Sequence, residues 1–139
     1  MKVYWDSSAI IFFYPRGRIA EISGITRPHS LAESFSALTG GGFEVVLRDG
    51  ARRHKRLSPG LAAAVIAKIH PLLTYVDLTA DEIVEALKGK KAQGGRVHDL
   101  LHAVAAEKAK ADELWTLDEN DFVGLGAVPL KYLSDQARS

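Results

Sequence analysis

Acidic side chains stand where predicted strands and helices begin or end in this sequence. Asp6 follows an apolar segment at the N-terminus, and Asp118 follows a second one, Glu113 to Leu117. Asp99 lies in the first turn of a predicted helix, and Glu33 belongs to an earlier helix. Carboxylates that converge in one crevice repel one another strongly unless a cation lies among them. Oxygen ligands favour Mg²⁺ or Mn²⁺, which commonly serve phosphate chemistry, and two such ions can assist phosphodiester cleavage.

The elements that must position these acids alternate between strands and helices along the chain. This alternation predicts an α/β fold, a parallel β-sheet with helices on both faces. The carboxyl ends of the strands and the starts of the helices then share one edge, so we expect Asp6, Asp99 and Asp118 to meet there and Glu33 to approach from the side. Expected strands cover residues 2–5, 43–48, 72–78, 113–117 and 127–130, expected helices begin near residues 9, 28, 59, 80 and 96, and a loop reaches to about Thr26.

A small β-hairpin is predicted near residues 43–57. Asp49-Gly50 is a strong turn signal between two segments that can pair. The returning arm is the most basic run of the chain, and a second basic run leads towards Asp99. Such runs are most often solvated faces, but cations beside an acidic crevice can also hold the phosphates that the acids repel. The candidate phosphate-binding residues are Arg52, Arg53, Lys55, Arg56, Lys90, Lys91 and Arg96.

Composition sets limits on the class of protein. The chain has 139 residues, about one domain, with 47% apolar and 25% charged residues and a net charge of +1. Without cysteine, disulfides, thiolate metal sites and cysteine nucleophiles are excluded. We expect no signal peptide, because Asp6 interrupts the N-terminal apolar run, and no apolar run approaches the roughly 20 residues that span a bilayer. A cytoplasmic location is therefore expected.

Two histidines, His98 and His102, are four residues apart on the predicted helix that carries Asp99. Two zinc ligands on one helix use this spacing. A metalloprotease helix, however, needs Glu where Asp99 stands, and no histidine follows His102 as a third ligand. The sequence therefore disfavours zinc, and one of these histidines is a candidate for lining the substrate site.

Three segments together resemble the PIN-domain family, in particular its small VapC-type ribonuclease toxins. They are VYWDSSAI at the start, LAESFSALT around Glu33, and VHDLLHAVAAEKAKADELWTLDENDF later. The resemblance covers nearly the whole chain and implies a single PIN-like domain over residues 1–139 that cleaves RNA with Mg²⁺ or Mn²⁺. It also implies a cognate antitoxin of a type II toxin-antitoxin system and a homodimer. The matching acids are Asp6, Glu33, Asp99 and Asp118, with Asp121, Thr116 and Ser7 in supporting positions.

Other interpretations of the same residues stay open at this point. Asp6 and Asp99 could be helix-capping or first-turn acids, and Asp118 and Asp121 could simply be turn residues. A phosphatase with Asp6 as a covalent nucleophile would also place an acid after the first strand, but the second acid expected two residues on is Ser8 here. A catalytically silent module that binds RNA or an antitoxin is the third possibility.

Overall fold

A parallel five-stranded sheet forms the centre of the protein. The computed structural model describes residues 1–89, 92, 96–117, 120, 122–126 and 128–133. The strands are ordered β5-β2-β1-β6-β7, and every neighbouring pair in this sheet is parallel. In chain order the strands are β1 (Val3–Trp5), β2 (Ile25–Thr26), β3 (Phe43–Val46), β4 (Arg52–Lys55), β5 (Thr74–Tyr75), β6 (Glu113–Thr116) and β7 (Leu130–Tyr132).

Helices cover both faces of this sheet, as the alternation of elements predicts. They are α1 (Ser7–Phe13), α2 (His29–Ser36), α3 (Pro59–Ile69), α4 (Ala80–Lys88) and α5 (Val97–Lys108). Successive strand residues point to opposite faces, so neighbours on β1 enter different cores. Trp5 packs with α1, α2 and α3, whereas Tyr4 packs with α4 and α5. The predicted α/β architecture is confirmed.

Strand β1 lies at the middle of the sheet, where the chain changes direction across it. Tyr4 is in register with Ile25 of β2 on one side and with Leu114 of β6 on the other. After β1 the chain builds β2 and β5 on one side, then crosses over to build β6 and β7 on the other. Ligand crevices of open parallel sheets lie beyond the strands at such a switch point. The ends of β1 and β6 are therefore where a site is expected.

The predicted hairpin is confirmed, with shorter arms. Strands β3 and β4 pair antiparallel, with Phe43 opposite Lys55 and Val45 opposite Arg53. The backbone N–H of Leu47 donates to the carbonyl oxygen of Ala51 at 2.8 Å. Residues 48–50 therefore connect the two arms, one residue more than in a two-residue turn. Gly50 takes φ = +84° there, a conformation that suits glycine.

Three sequence-based boundaries are wrong. The segment predicted as loop up to Thr26 contains β2, which is too short to show a periodic pattern and is fixed by its parallel neighbours β1 and β5. The strand predicted over 72–78 is limited to β5, Thr74–Tyr75. It cannot begin at Leu72, because His70–Leu72 forms a 3₁₀ turn. The last strand is β7 rather than 127–130; it begins at Leu130, and Ala127 lies outside the described residues.

Helix starts agree with the predicted caps except at α1. Ser58 caps α3 and Thr79 caps α4, as the sequence predicts. The cap of α1 is Asp6 itself, whereas Ser7 and Ser8 are the first helical residues.

Among the described residues, no helix is both long enough and apolar enough to cross a membrane.

Candidate functional site

Asp6 lies at the carboxyl end of β1 with its carboxylate held in a fixed orientation. The residue is only 6% exposed. Its Oδ1 accepts hydrogen bonds from the backbone N–H of Ala9 at 2.8 Å and from the hydroxyl of Ser8 at 2.7 Å. Its Oδ2 accepts a hydrogen bond from Thr116 Oγ1 at 2.7 Å. Asp6 is thus a helix cap and, at the same time, a buried acid facing the end of β6.

Ser8 joins the ends of the two central strands. Its Oγ donates to Asp6, lies 3.3 Å from Thr116 Oγ1, and accepts from the backbone N–H of Leu117 at 3.0 Å. The sequence assigns the supporting hydroxyl to Ser7, but among the described residues Ser8 is the serine that bonds Asp6. Thr116, which the resemblance gives as a supporting residue, donates to Asp6.

Glu33 is connected to the central strand β1 by two hydrogen bonds through His102. Its Oε1 lies 2.7 Å from His102 Nε2, and His102 Nδ1 lies 2.7 Å from the hydroxyl of Tyr4. A carboxylate only accepts, so Nε2 carries the proton and, in the neutral ring, Nδ1 accepts from Tyr4. These contacts tie α2 and α5 to the central strand. His102 is therefore a buried link between Glu33 and β1, a role that the sequence does not specify.

The first turn of α2 is fixed at the same edge of the sheet. The hydroxyl of Thr26, at the end of β2, donates to the carbonyl oxygen of Trp5 at 2.7 Å and lies 2.6 Å from Ser30 Oγ. Both side chains are completely buried. Residues four apart share a helix face, so His29 and Glu33 project from α2 on the same side.

Asp99 is the third residue of α5 and is half-buried. The cap of this helix is Arg96, whose side chain makes no capping hydrogen bond, so the acid in the first turn compensates the helix dipole. Because α5 leads back into the parallel strand β6, its start lies at the carboxyl edge of the sheet. Asp99 is also about one turn before His102 and faces the same side. Asp6, Glu33 and Asp99 thus come from three elements that end or begin at this edge.

Several predicted site residues cannot be placed. Asp118, Asp121, Lys90 and Lys91 lie outside the described residues, and their roles stay predictions. Arg96 donates to the backbone carbonyls of Val123 at 3.0 Å and Asn120 at 3.4 Å, which connects these two residues to the start of α5.

The basic arm of the hairpin is exposed throughout. Arg52, Arg53, Lys55 and Arg56 all project into solvent, and Arg52 pairs with Glu44 across the hairpin at 3.4 Å. The hairpin starts at Phe43, ten residues after Glu33, and the end of α2 and a π-helical turn over Ala37–Gly41 lie between them. Its contribution to RNA binding stays a prediction.

Two histidines and Glu33 form a potential metal-binding group. Nitrogen atoms of His29 and His98 and a carboxylate oxygen of Glu33 all lie within 4.8 Å of one another. The rings of His29 and His98 stack with their centroids 5.6 Å apart. The sequence pattern pairs His98 with His102, but His102 is buried against Tyr4 and Glu33. His29 is not singled out by the sequence analysis, and its only local signal is the spacing of four residues to Glu33.

The two placed acids with shifted pKa values differ in their surroundings. Burial raises the pKa of Asp6, although the hydrogen bonds from Ala9, Ser8 and Thr116 and the charge of His102 oppose the shift. Burial also acts to raise the pKa of Glu33, but the hydrogen bond from His102 and the charges of His102, His29 and His98 outweigh it, so that pKa is lowered. The charged form of Asp6 is thus costly in the folded protein unless a cation approaches it.

The raised pKa of Asp6 predicts a pH-dependent cost in stability when divalent ions are removed by a chelator. Below the unfolded-state carboxyl pKa of about 3.9, the carboxyl group of Asp6 is protonated in both the folded and the unfolded protein, and its contribution to stability is fully present. This contribution is lost as the pH rises through the higher folded-state pKa. Urea unfolding from pH 4 to pH 8 should therefore show Asp6→Asn gaining stability relative to wild type as the pH rises. A constant difference between the two proteins would contradict the prediction.

Removing the hydroxyl of Tyr4 should destabilise the fold. Tyr4→Phe leaves the Nδ1 atom of the buried His102 without its partner, which we expect to lower the free energy of unfolding by about 1–3 kcal/mol. Urea unfolding measures the change. Tyr132→Phe is the matched control, because Tyr132 is 49% exposed, and its effect should stay within about 0.5 kcal/mol. Equal stability of Tyr4→Phe and wild type would show that the hydrogen-bond chain contributes nothing.

Comparison with known proteins yields no family. No family model matches this chain, and no curated protein matches it either. The site chemistry, together with the fold, therefore carries the functional interpretation.

Proposed function

We propose that this chain is a PIN-like, metal-dependent endoribonuclease that hydrolyses RNA phosphodiester bonds. The observation that carries the proposal is the buried Asp6 at the switch point of the sheet, oriented by Ser8 and by Thr116 of the neighbouring strand. Glu33 and Asp99 approach the same edge from α2 and α5. Acids on separate elements that end or begin at the ligand-binding edge of a parallel sheet are typical of a catalytic site rather than of a packing arrangement.

The donor groups fit a hard divalent cation. Carboxylate and hydroxyl oxygens are the ligands that Mg²⁺ and Mn²⁺ prefer, and a buried carboxylate with a raised pKa gains from a cation beside it. Asp6, Glu33 and Asp99, with Asp118 as predicted from the sequence, would hold the ion. Bound there, it would supply activation of a water molecule and stabilisation of the leaving oxygen.

The surrounding residues orient the acids. Ser8 and Thr116 fix the two carboxylate oxygens of Asp6, and His102 fixes one oxygen of Glu33. Partners of this kind keep metal ligands in place and tune their affinity. In the proposal Asp121 and Ser7 belong to this supporting shell, as the resemblance to the PIN family implies.

RNA as the substrate, a cognate antitoxin and a homodimer complete the proposal. They follow from the resemblance of the sequence to VapC-type toxins. The exposed cations of the hairpin, together with Lys90, Lys91 and Arg96 as predicted from the sequence, would contact the phosphates that the acids themselves repel.

A panel of substrates separates this function from its alternatives. We expect the purified protein with Mg²⁺ or Mn²⁺ to cut single-stranded or structured RNA internally, and to leave a phosphomonoester intact. Trapping of a phospho-aspartate at Asp6 would instead indicate a phosphatase, although Ser8 occupies the place of that enzyme's second acid and bonds Asp6 and Leu117. RNA that is bound but never cut would indicate a silent binding module.

A further inference from the structure

We propose that His29, Glu33 and His98 form a binding site for a late transition-metal ion, with Zn²⁺ as its expected occupant. Ligand atoms of these three side chains lie within 4.8 Å of one another. The site uses two imidazole nitrogens and one carboxylate oxygen. It therefore differs in ligand chemistry from the all-oxygen site proposed for Mg²⁺ or Mn²⁺.

The geometry requires only small adjustments to close around an ion. Ligands held about 2.1 Å from one metal lie roughly 3–4 Å from each other, so these ligand atoms, which lie within 4.8 Å of one another, need to move by at most about 1–2 Å. His29 and His98 are exposed, which leaves their rings free to turn. Their rings are already stacked, with an angle of 20° between the ring planes. One imidazole from α2 and one from α5 can thus converge on one point.

The third ligand is preorganised by its own partners. His102 Nε2 engages Oε1 of Glu33 at 2.7 Å, and Tyr4 holds the other nitrogen of His102 at the same distance. Glu33 can offer its Oε2 to an ion without giving up this bond. Hydrogen-bonded support of a ligating carboxylate raises metal affinity, commonly by about 10- to 100-fold.

The ligand set selects the class of ion. Imidazole nitrogens suit Zn²⁺, Co²⁺ and Ni²⁺, whereas Mg²⁺ prefers oxygen ligands and keeps its water. Two histidines and one glutamate are also a set that binds zinc with a coordination position left open. We therefore expect Zn²⁺ to bind tightly here and Mg²⁺ not to compete at millimolar concentration.

Shared use of Glu33 gives this site a regulatory consequence, which rests on the proposed function. An ion held by His29 and His98 would draw Glu33 away from the all-oxygen site. Zn²⁺ should then inhibit Mg²⁺-dependent RNA cleavage. Removing either imidazole should relieve the inhibition.

Direct measurement of Zn²⁺ binding tests the site without reference to activity. Calorimetry on the full chain, free of any affinity tag, should show one equivalent of Zn²⁺ bound, with affinity at least tenfold weaker in His29→Ala and in His98→Ala. Co²⁺ should give a visible absorption band in wild type that both variants lose. Both positions are exposed on helices, where alanine is well tolerated, and circular dichroism checks that the variants fold.

Exposed histidines elsewhere provide the matched controls. His54→Ala and His70→Ala remove imidazoles from the hairpin and from the end of α3, and both should keep wild-type Zn²⁺ affinity. The site is overturned if wild type binds Zn²⁺ no more tightly than the His29→Ala/His98→Ala double variant. It is also overturned if His54→Ala and His70→Ala lose as much Zn²⁺ affinity as His29→Ala and His98→Ala. Because this assay contains no RNA, its failure is distinguishable from failure of the nuclease proposal.

Discussion

Asp6→Asn should abolish RNA cleavage while leaving the protein folded. Loss of a residue that only hydrogen-bonds a metal ligand lowers metal affinity or activity by about 10- to 100-fold. Loss of the charge of the ligand itself should therefore lower the cleavage rate by more than about 100-fold. Asparagine matches aspartate in shape, and its carbonyl oxygen can still accept from Ala9 and Ser8. The hydroxyl of Thr116 can turn to accept from the new amide. Removal of a buried charge whose pKa is raised by burial adds no cost to folding.

Cleavage of a fluorogenic RNA at saturating Mg²⁺ measures this loss. Asp81→Asn is the matched control, because Asp81 is an exposed acid in the first turn of α4, a helix that follows the edge strand β5 rather than β1 or β6. That control should cleave at the wild-type rate. An Asp6→Asn variant that is folded and fully active would remove Asp6 from the site and with it the main support for the proposal.

Asp99→Asn should lower cleavage to a similar extent. Asp99 stands in the first turn of α5, where its charge also interacts with the helix dipole. That interaction is worth only about 0.3–1 kcal/mol, so the stability of the protein should change little. As a metal ligand, however, Asp99 cannot be replaced by a neutral amide without loss of affinity for the ion. The apparent Mg²⁺ concentration for half-maximal cleavage should therefore rise together with the fall in rate.

The comparison of Asp99→Asn with Asp81→Asn separates the two roles. Both variants neutralise an acid in the first turn of a helix, so both lose the same kind of dipole interaction. Only Asp99 lies at the start of the helix that carries His102 towards Glu33. Matching Mg²⁺ dependence in the two variants would reduce Asp99 to a first-turn acid with no part in metal binding.

Much of the fold could be predicted because its signals are local. Strands alternating with helices predict a parallel sheet, and Asp49-Gly50 predicts the hairpin. Strand β2 was missed since two residues carry no periodicity, and only its neighbours β1 and β5 make it a strand. The position of Asp6 followed from the end of the first apolar segment, which is a local feature too.

The contacts that complete the site are not local and were not predicted. His102 meets Glu33 across 69 positions of the sequence and meets Tyr4 across 98 positions. Spacing along one helix suggested a pair of His98 and His102, but the folded chain pairs His98 with His29 instead. The choice of Ser8 over Ser7 depends on the direction in which the first turn of α1 presents each hydroxyl. Only packing of separate elements determines such contacts.

A metal-depletion test of RNA cleavage addresses the central claim most directly. A mixed RNA pool is incubated with the wild-type protein after complete removal of divalent ions, and then after Mg²⁺ or Mn²⁺ is restored. We predict no internal cleavage without the ions and full cleavage once either is added back. Cleavage that persists in the chelator, or no cleavage at any concentration of either ion, would contradict the assignment of this chain as a metal-dependent ribonuclease.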